Sequence, residues 1–152
     1  MSWLAAIRAD EVNFPLFLHV LGAMLLVGTL LAVTTAITLD WRRPGDTAQL
    51  TRLGLRTLLL GVVPAYVLMR VGAQWTESRE DWPGDPAWLG IGYITADAGA
   101  LLILLSVILA AIGLRQLRGG GGRALARTVG VISIVLLAAN VIAVWAMSVK
   151  PD

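Results

Sequence analysis

Four long apolar blocks, with nearly all of the charge confined to the gaps between them, constrain this chain more than any other feature. A bilayer core of about 30 Å takes roughly 20 apolar residues of helix. The blocks run from about 13 to 39, 53 to 75, 87 to 114 and 128 to 149. The first holds one ionisable residue, His19, the third holds Asp97, and the fourth carries no charge. The second contains Arg56, Pro64 and Arg70, and is free of charge only from Thr57 to Met69. The pattern predicts an all-α fold, a four-transmembrane-helix bundle over residues 1–152, with connectors 40–52, 76–86 and 115–127. The first block is expected to be a retained helix and not a cleaved leader. Its flank is acidic (Asp10, Glu11), and its apolar run is longer than a leader needs.

Composition narrows the chemistry. The 152 residues are 57% hydrophobic and 14% charged, which excludes disorder and argues against a soluble globule. With no cysteine, disulfides, Cys-ligated zinc, iron–sulfur clusters and thiol catalysis are excluded. With a single histidine, one chain cannot form a multi-His metal site. Gly119–Gly122 lacks the Lys-Ser/Thr and the preceding strand of a phosphate loop, and reads as a flexible linker. No Ser/His/Asp order and no metalloprotease helix motif is present, so a non-enzymatic role is expected.

Charge asymmetry sets an expected orientation. Arg42, Arg43, Arg52 and Arg56 flank the first gap, and Arg115, Arg118, Arg123 and Arg127 flank the third, making eight of the twelve basic residues. The opposite side holds Arg8, Arg79 and Lys150 with most of the acids. By the positive-inside rule both arginine-bearing connectors face the cytoplasm, both termini and 76–86 face outward, and the location is a bacterial cytoplasmic membrane. The basic excess then reflects topology and attraction to anionic lipid, not nucleic-acid binding. Trp41, Trp75, Trp88 and Trp145 fall near the expected interfaces.

Small residues mark the packing faces. Gly54, Gly61, Ala65 and Gly72 lie within about 40° of one another on a helix. Gly28, Ala32 and Ala36 repeat every four residues, as do Gly92, Ala96 and Ala100, and Ala139 and Ala143. Such seams pack helices within a bundle or between copies, or line a groove for lipid or a cofactor.

Ionisable groups inside a span are costly and are functional candidates. At about 1.5 Å per residue, His19, Arg70, Asp97 and Asn140 each lie roughly 8–15 Å below the expected outer surface. This common depth predicts one polar layer, which Tyr66, Tyr93 and Thr95 are near enough to join. Arg70 either snorkels outward or forms a buried pair with Asp97. Asn140 suits interhelical hydrogen bonding. His19 has Gly22 and Ala23 one turn on. It is a candidate for a hydrogen bond to another helix, for a proton relay, or for ligation of haem b or copper. A haem would place Arg70 near a propionate, and Met24, Met69 and Met147 are soft enough for Cu(I), with Met69 and Met147 on the same side as His19.

The run from Leu18 to Gly28, with His19 followed by Gly22 and then Val27-Gly28, resembles the first helix of uncharacterised bacterial four-helix integral membrane proteins. It is more distantly similar to the copper-resistance D group. The resemblance implies a four-helix membrane bundle with His19 as the family-like histidine. The copper group handles its metal with several histidines, where this chain has one. Three functions follow as expectations: an accessory or scaffold protein acting as a homo-oligomer or as a subunit of a larger complex, a haem- or copper-binding module using His19, or a small proton- or ion-coupled transporter using Asp97 and Arg70.

Overall fold

Each apolar block becomes a helix, because a backbone in lipid must satisfy its polar groups within its own segment. The computed structural model describes residues 10–42, 47–79 and 87–149. The helices are α1 (Asp10–Arg42), α2 (Thr47–Thr57), α3 (Val63–Glu77), α4 (Ala87–Gln116) and α5 (Arg123–Val149). A π turn, Leu58–Val62, joins α2 to α3, so these two form one rod. Four rods result, each long and apolar enough to cross a membrane. They overrun the apolar blocks at several ends, most at 47–52 and 123–127, because helical hydrogen bonding continues through polar residues that fit the headgroup region. The residues between Trp41 and Thr47 that form the expected turn lie mostly outside those described.

The rods pack in sequence around a square: α1 against α2–α3, α2–α3 against α4, α4 against α5, and α5 back against α1. The contact between the second and third rods is the smallest of the four. The core follows a three- and four-residue rhythm. Leu26, Leu30, Val33 and Ile37 of α1 meet Leu55, Leu58, Val62, Ala65 and Met69 of the second rod, with Ile103 and Ala110 from α4 and Val129 and Leu136 from α5. The outside is as apolar as the inside: Leu60, Ile94, Leu101 and Met24 are 69–79% exposed. An apolar exterior this continuous matches lipid and not water.

Pro64 explains the π turn. Proline offers no N–H and its ring crowds the carbonyl four residues earlier. The wider turn absorbs this, and the Val63 N–H donates to Leu58 O five residues back.

The Gly54–Gly72 seam faces α1. A Cβ at Gly54 would lie 2.9 Å from the Ile37 side chain, and one at Gly61 would lie 2.8 Å from Thr29 Cγ2. The tightest approach is reciprocal. A Cβ at Gly72 would lie 2.7 Å from His19 Cα, and one at Gly22 would lie 2.6 Å from Met69 Cα. The repeat in α1 is divided: Ala36 is buried beside Gly54 of the second rod, while the other two positions face outward. Gly28 would meet nothing within 4 Å, and Gly28 and Ala32 are exposed. With Leu31, Thr35, Leu39, Leu50 and Leu53 they line an open apolar groove of about 400 Å³.

Gly119–Gly122 is a built turn, which corrects the expectation of a flexible linker. The 3-10 turn Leu117–Gly119 is followed by Gly120 and Gly122 at φ 84° and 86°. The Gly121 N–H donates to Gln116 O at 3.0 Å. Left-handed backbone strains residues that carry a Cβ, and a Cβ at Gly122 would also lie 2.8 Å from Gly113 O.

Candidate functional site

The second rod carries polar residues at Tyr66, Arg70, Gln74 and Glu77, a spacing of four, four and three that puts them on one helical face. That face looks across to Tyr93, Ala96 and Asp97 of α4. The rungs connect in order. The Tyr66 hydroxyl donates to Ala96 O at 3.0 Å. Arg70 Nη2 donates to Asp97 Oδ1 at 2.7 Å, and its guanidinium carbon stands 5.3 Å from the centroid of the Tyr93 ring, a cation–π contact. The Tyr93 hydroxyl donates to Glu77 Oε2, and Gln74 Nε2 reaches the same oxygen at 3.5 Å. Long side chains bridge here because the backbones of α3 and α4 stand apart.

This ladder lies on the surface of the bundle and not at its axis. The Asp97 side chain is 66% exposed and that of Arg70 27%. Arg70 does pair with Asp97, but at the surface of the bundle and not buried, which corrects the second alternative. The glycine seam facing α1 turns Arg70 away from α1 and toward α4.

His19 belongs to a different seam. Its Nδ1 lies 3.1 Å from Met69 O, across the Gly22–Gly72 crossing. A carbonyl oxygen only accepts, so Nδ1 donates in this bond. Met69 and Arg70 are consecutive, about 100° apart on the helix, and so serve different sides of α3. Asn140 is separate again. Its Nδ2 donates to Leu136 O at 2.9 Å within its own helix, and α5 packs on α1 and α4. Thr95 is half-buried, nearly opposite Asp97 around α4.

The expected single polar layer is therefore divided. Arg70, Asp97, Tyr66 and Tyr93 come together, while His19 and Asn140 share their depth but face other neighbours. A common depth places residues in a plane, and the helical azimuth decides which of them meet. Gln74 and Glu77 complete the ladder and were not expected in it. The signal for them was the four-four-three spacing that continues from Tyr66 and Arg70.

The soft-ligand set does not converge either. Met69 meets the imidazole through its backbone carbonyl, and a Cβ at Gly92 of α4 would collide with Met147 Cε. Met24 is exposed on the exterior. Among the described residues no group of three His, Asp or Glu side chains is placed to hold a metal. No protein-family model, curated protein or solved structure matches this chain.

Proposed function

We propose that this chain is a multi-pass protein of a bacterial cytoplasmic membrane, with both termini outside, that works by association as an accessory or scaffold subunit and not as an enzyme. One observation carries the reading. The charged pair of the spans, Arg70 and Asp97, does not line the packed axis of the bundle; it is presented on the exterior, where the Asp97 side chain is 66% exposed. The interior next to them is packed with Leu, Val and Ile. Charges turned outward within an apolar coat serve a neighbouring protein better than an enclosed substrate. The orientation rests on the arginines. Arg52, Arg56, Arg115, Arg123 and Arg127 are all exposed, on helix segments that share one end of the bundle. Native mass determination in mild detergent tests the reading. It should give a complex heavier than one chain. A bare monomer from which nothing co-purifies overturns it.

A second reading attaches to His19. Ligating histidines are commonly held by donating their other ring nitrogen to a carbonyl, as Nδ1 does here to Met69 O. The rest of the expected site does not fit within one chain: Arg70 is committed to Asp97 on the other seam, and Met147 sits against α4. A haem or copper centre would need its remaining ligands from outside this chain. An absorption spectrum and metal analysis of gently purified protein, with and without His19→Ala, decides. If neither a Soret band nor bound copper is lost on substitution, His19 is an interhelical hydrogen bonder only.

A further inference from the structure

The Arg70–Asp97 pair is left half-made by the single chain. At about 1.5 Å per residue, Asp97 lies about 7 Å and Arg70 about 12 Å from the midpoints of their rods, both within the half-thickness of about 15 Å of a hydrocarbon core. Arg70 can reach toward the interface, but Asp97 is too short to do so. Asp97 Oδ1 accepts from Arg70 Nη2, yet most of the carboxylate surface remains open, and so does part of the guanidinium. A carboxylate accepts about four hydrogen bonds and a guanidinium donates five, so both retain capacity directed outward.

The surroundings select what covers them. Ile94 and Leu101, one turn to either side of Asp97, are 72% and 71% exposed, and Val67 and Val71 flank Arg70. This is a branched apolar surface with a polar centre. Such a surface packs against another helix and excludes water. Arg70, Asp97 and Glu77 together carry a net negative charge, which disfavours a lipid phosphate. Opposite charges side by side are self-complementary under a two-fold rotation.

We propose that a second copy of this chain docks on the α3–α4 face about a two-fold axis along the bilayer normal, beside Asp97. Each Arg70 then reaches the partner subunit's Asp97 while holding its own, and the four charges close into a neutral ring. The apolar residues around it supply the contact, and the ring sets the register, as single polar residues do in apolar helical seams. The proposal rests on the accessory reading above and names its partner and its surface.

The absence of cysteine makes the test direct. Ile94→Cys and Leu101→Cys, each introduced singly at an exposed position, are oxidised in native membranes. Val144→Cys on α5 and Leu31→Cys at the α1 groove serve as comparisons. The expected result is a disulfide-linked dimer as the main species for Ile94→Cys and Leu101→Cys, several-fold above both comparisons. Adding Arg70→Ala or Asp97→Ala to Leu101→Cys should lower the yield several-fold. Co-expressing the two altered chains should restore part of it, because the mixed dimer regains one pair between copies. A pair confined to one chain gives no such recovery, and its absence overturns the proposal. Cross-linking through Leu31→Cys alone, or a different protein captured at Leu101→Cys, overturns the second-copy interface and leaves the accessory reading standing. A monomer with no partner at any position overturns both.

Discussion

Two sides of one helix, α3, solve the problem of contact within lipid in opposite ways. On the side facing α1, Gly72 and Gly22 remove side chains so that backbones nearly touch, and His19 adds one hydrogen bond to Met69 O. On the side facing α4, the backbones stand apart and Tyr66, Arg70 and Glu77 bridge the gap, with Gln74 reaching Glu77 from the same helix. The first seam is closely packed and gains its stability from dispersion over closely spaced atoms. The second depends on a few strong polar contacts and leaves charge at the surface. Between helices in lipid there is no hydrophobic driving force, so close approach is the dependable source of stability. The tight seam therefore holds the fold, and the open seam is free to serve a partner.

That contrast is most exposed by overfilling the tight seam. Gly72→Leu forces a side chain into the α1 backbone and should destabilise the bundle by about 3 kcal/mol, the upper part of the range for overpacking. Thermal unfolding in detergent reads it as a large drop in midpoint. Gly28→Leu, at the open groove, should leave the midpoint nearly unchanged. An equal loss from both would abolish the distinction between the seams.

The open seam is probed by removing one charge or two. Arg70→Ala strands Asp97 within the span and should cost about 2 kcal/mol on insertion-type scales. Arg70→Ala with Asp97→Ala should be less damaging than Arg70→Ala alone, because no uncompensated charge is left. Fraction folded after solubilisation measures both. A double variant worse than the single would make the pair a source of stability and weaken the case for a partner.

Smaller effects refine the picture. Gly122→Ala places a Cβ at positive φ and should cost about 1 kcal/mol, read as a modest fall in the unfolding midpoint. His19→Phe removes the bond to Met69 O and should cost about 0.6 kcal/mol, the mean for polar contacts between membrane helices. It should leave the α3–α4 face, and cross-linking at Leu101→Cys, unaffected.

Much of the architecture was legible along the chain. Block length and the clearing of charge from the blocks were enough for four helices, and the glycines at 54, 61 and 72 marked the face that α1 covers. In the Gly28, Ala32 and Ala36 repeat, which had the same look, only Ala36 is buried against the second rod, since spacing shows that a face is small without showing which neighbour it meets. The turn at Gly119–Gly122 was misread for a related reason. Glycine allows both a flexible chain and a left-handed one, and only the hydrogen bond to Gln116 O and the crowding at Gly113 O separate the two.

What the amino-acid order determined alone was depth. Rise per residue places His19, Arg70, Asp97 and Asn140 at similar levels, because every helix advances by the same step. What the tertiary structure decided was company. Which of them touch depends on the rotation of each rod about its axis and on the order of rods around the square, which the packing of all four rods sets together. Arg70 thus meets Asp97, His19 of α1 meets the carbonyl of Met69, the residue before Arg70 on α3, and Asn140 turns back on its own helix.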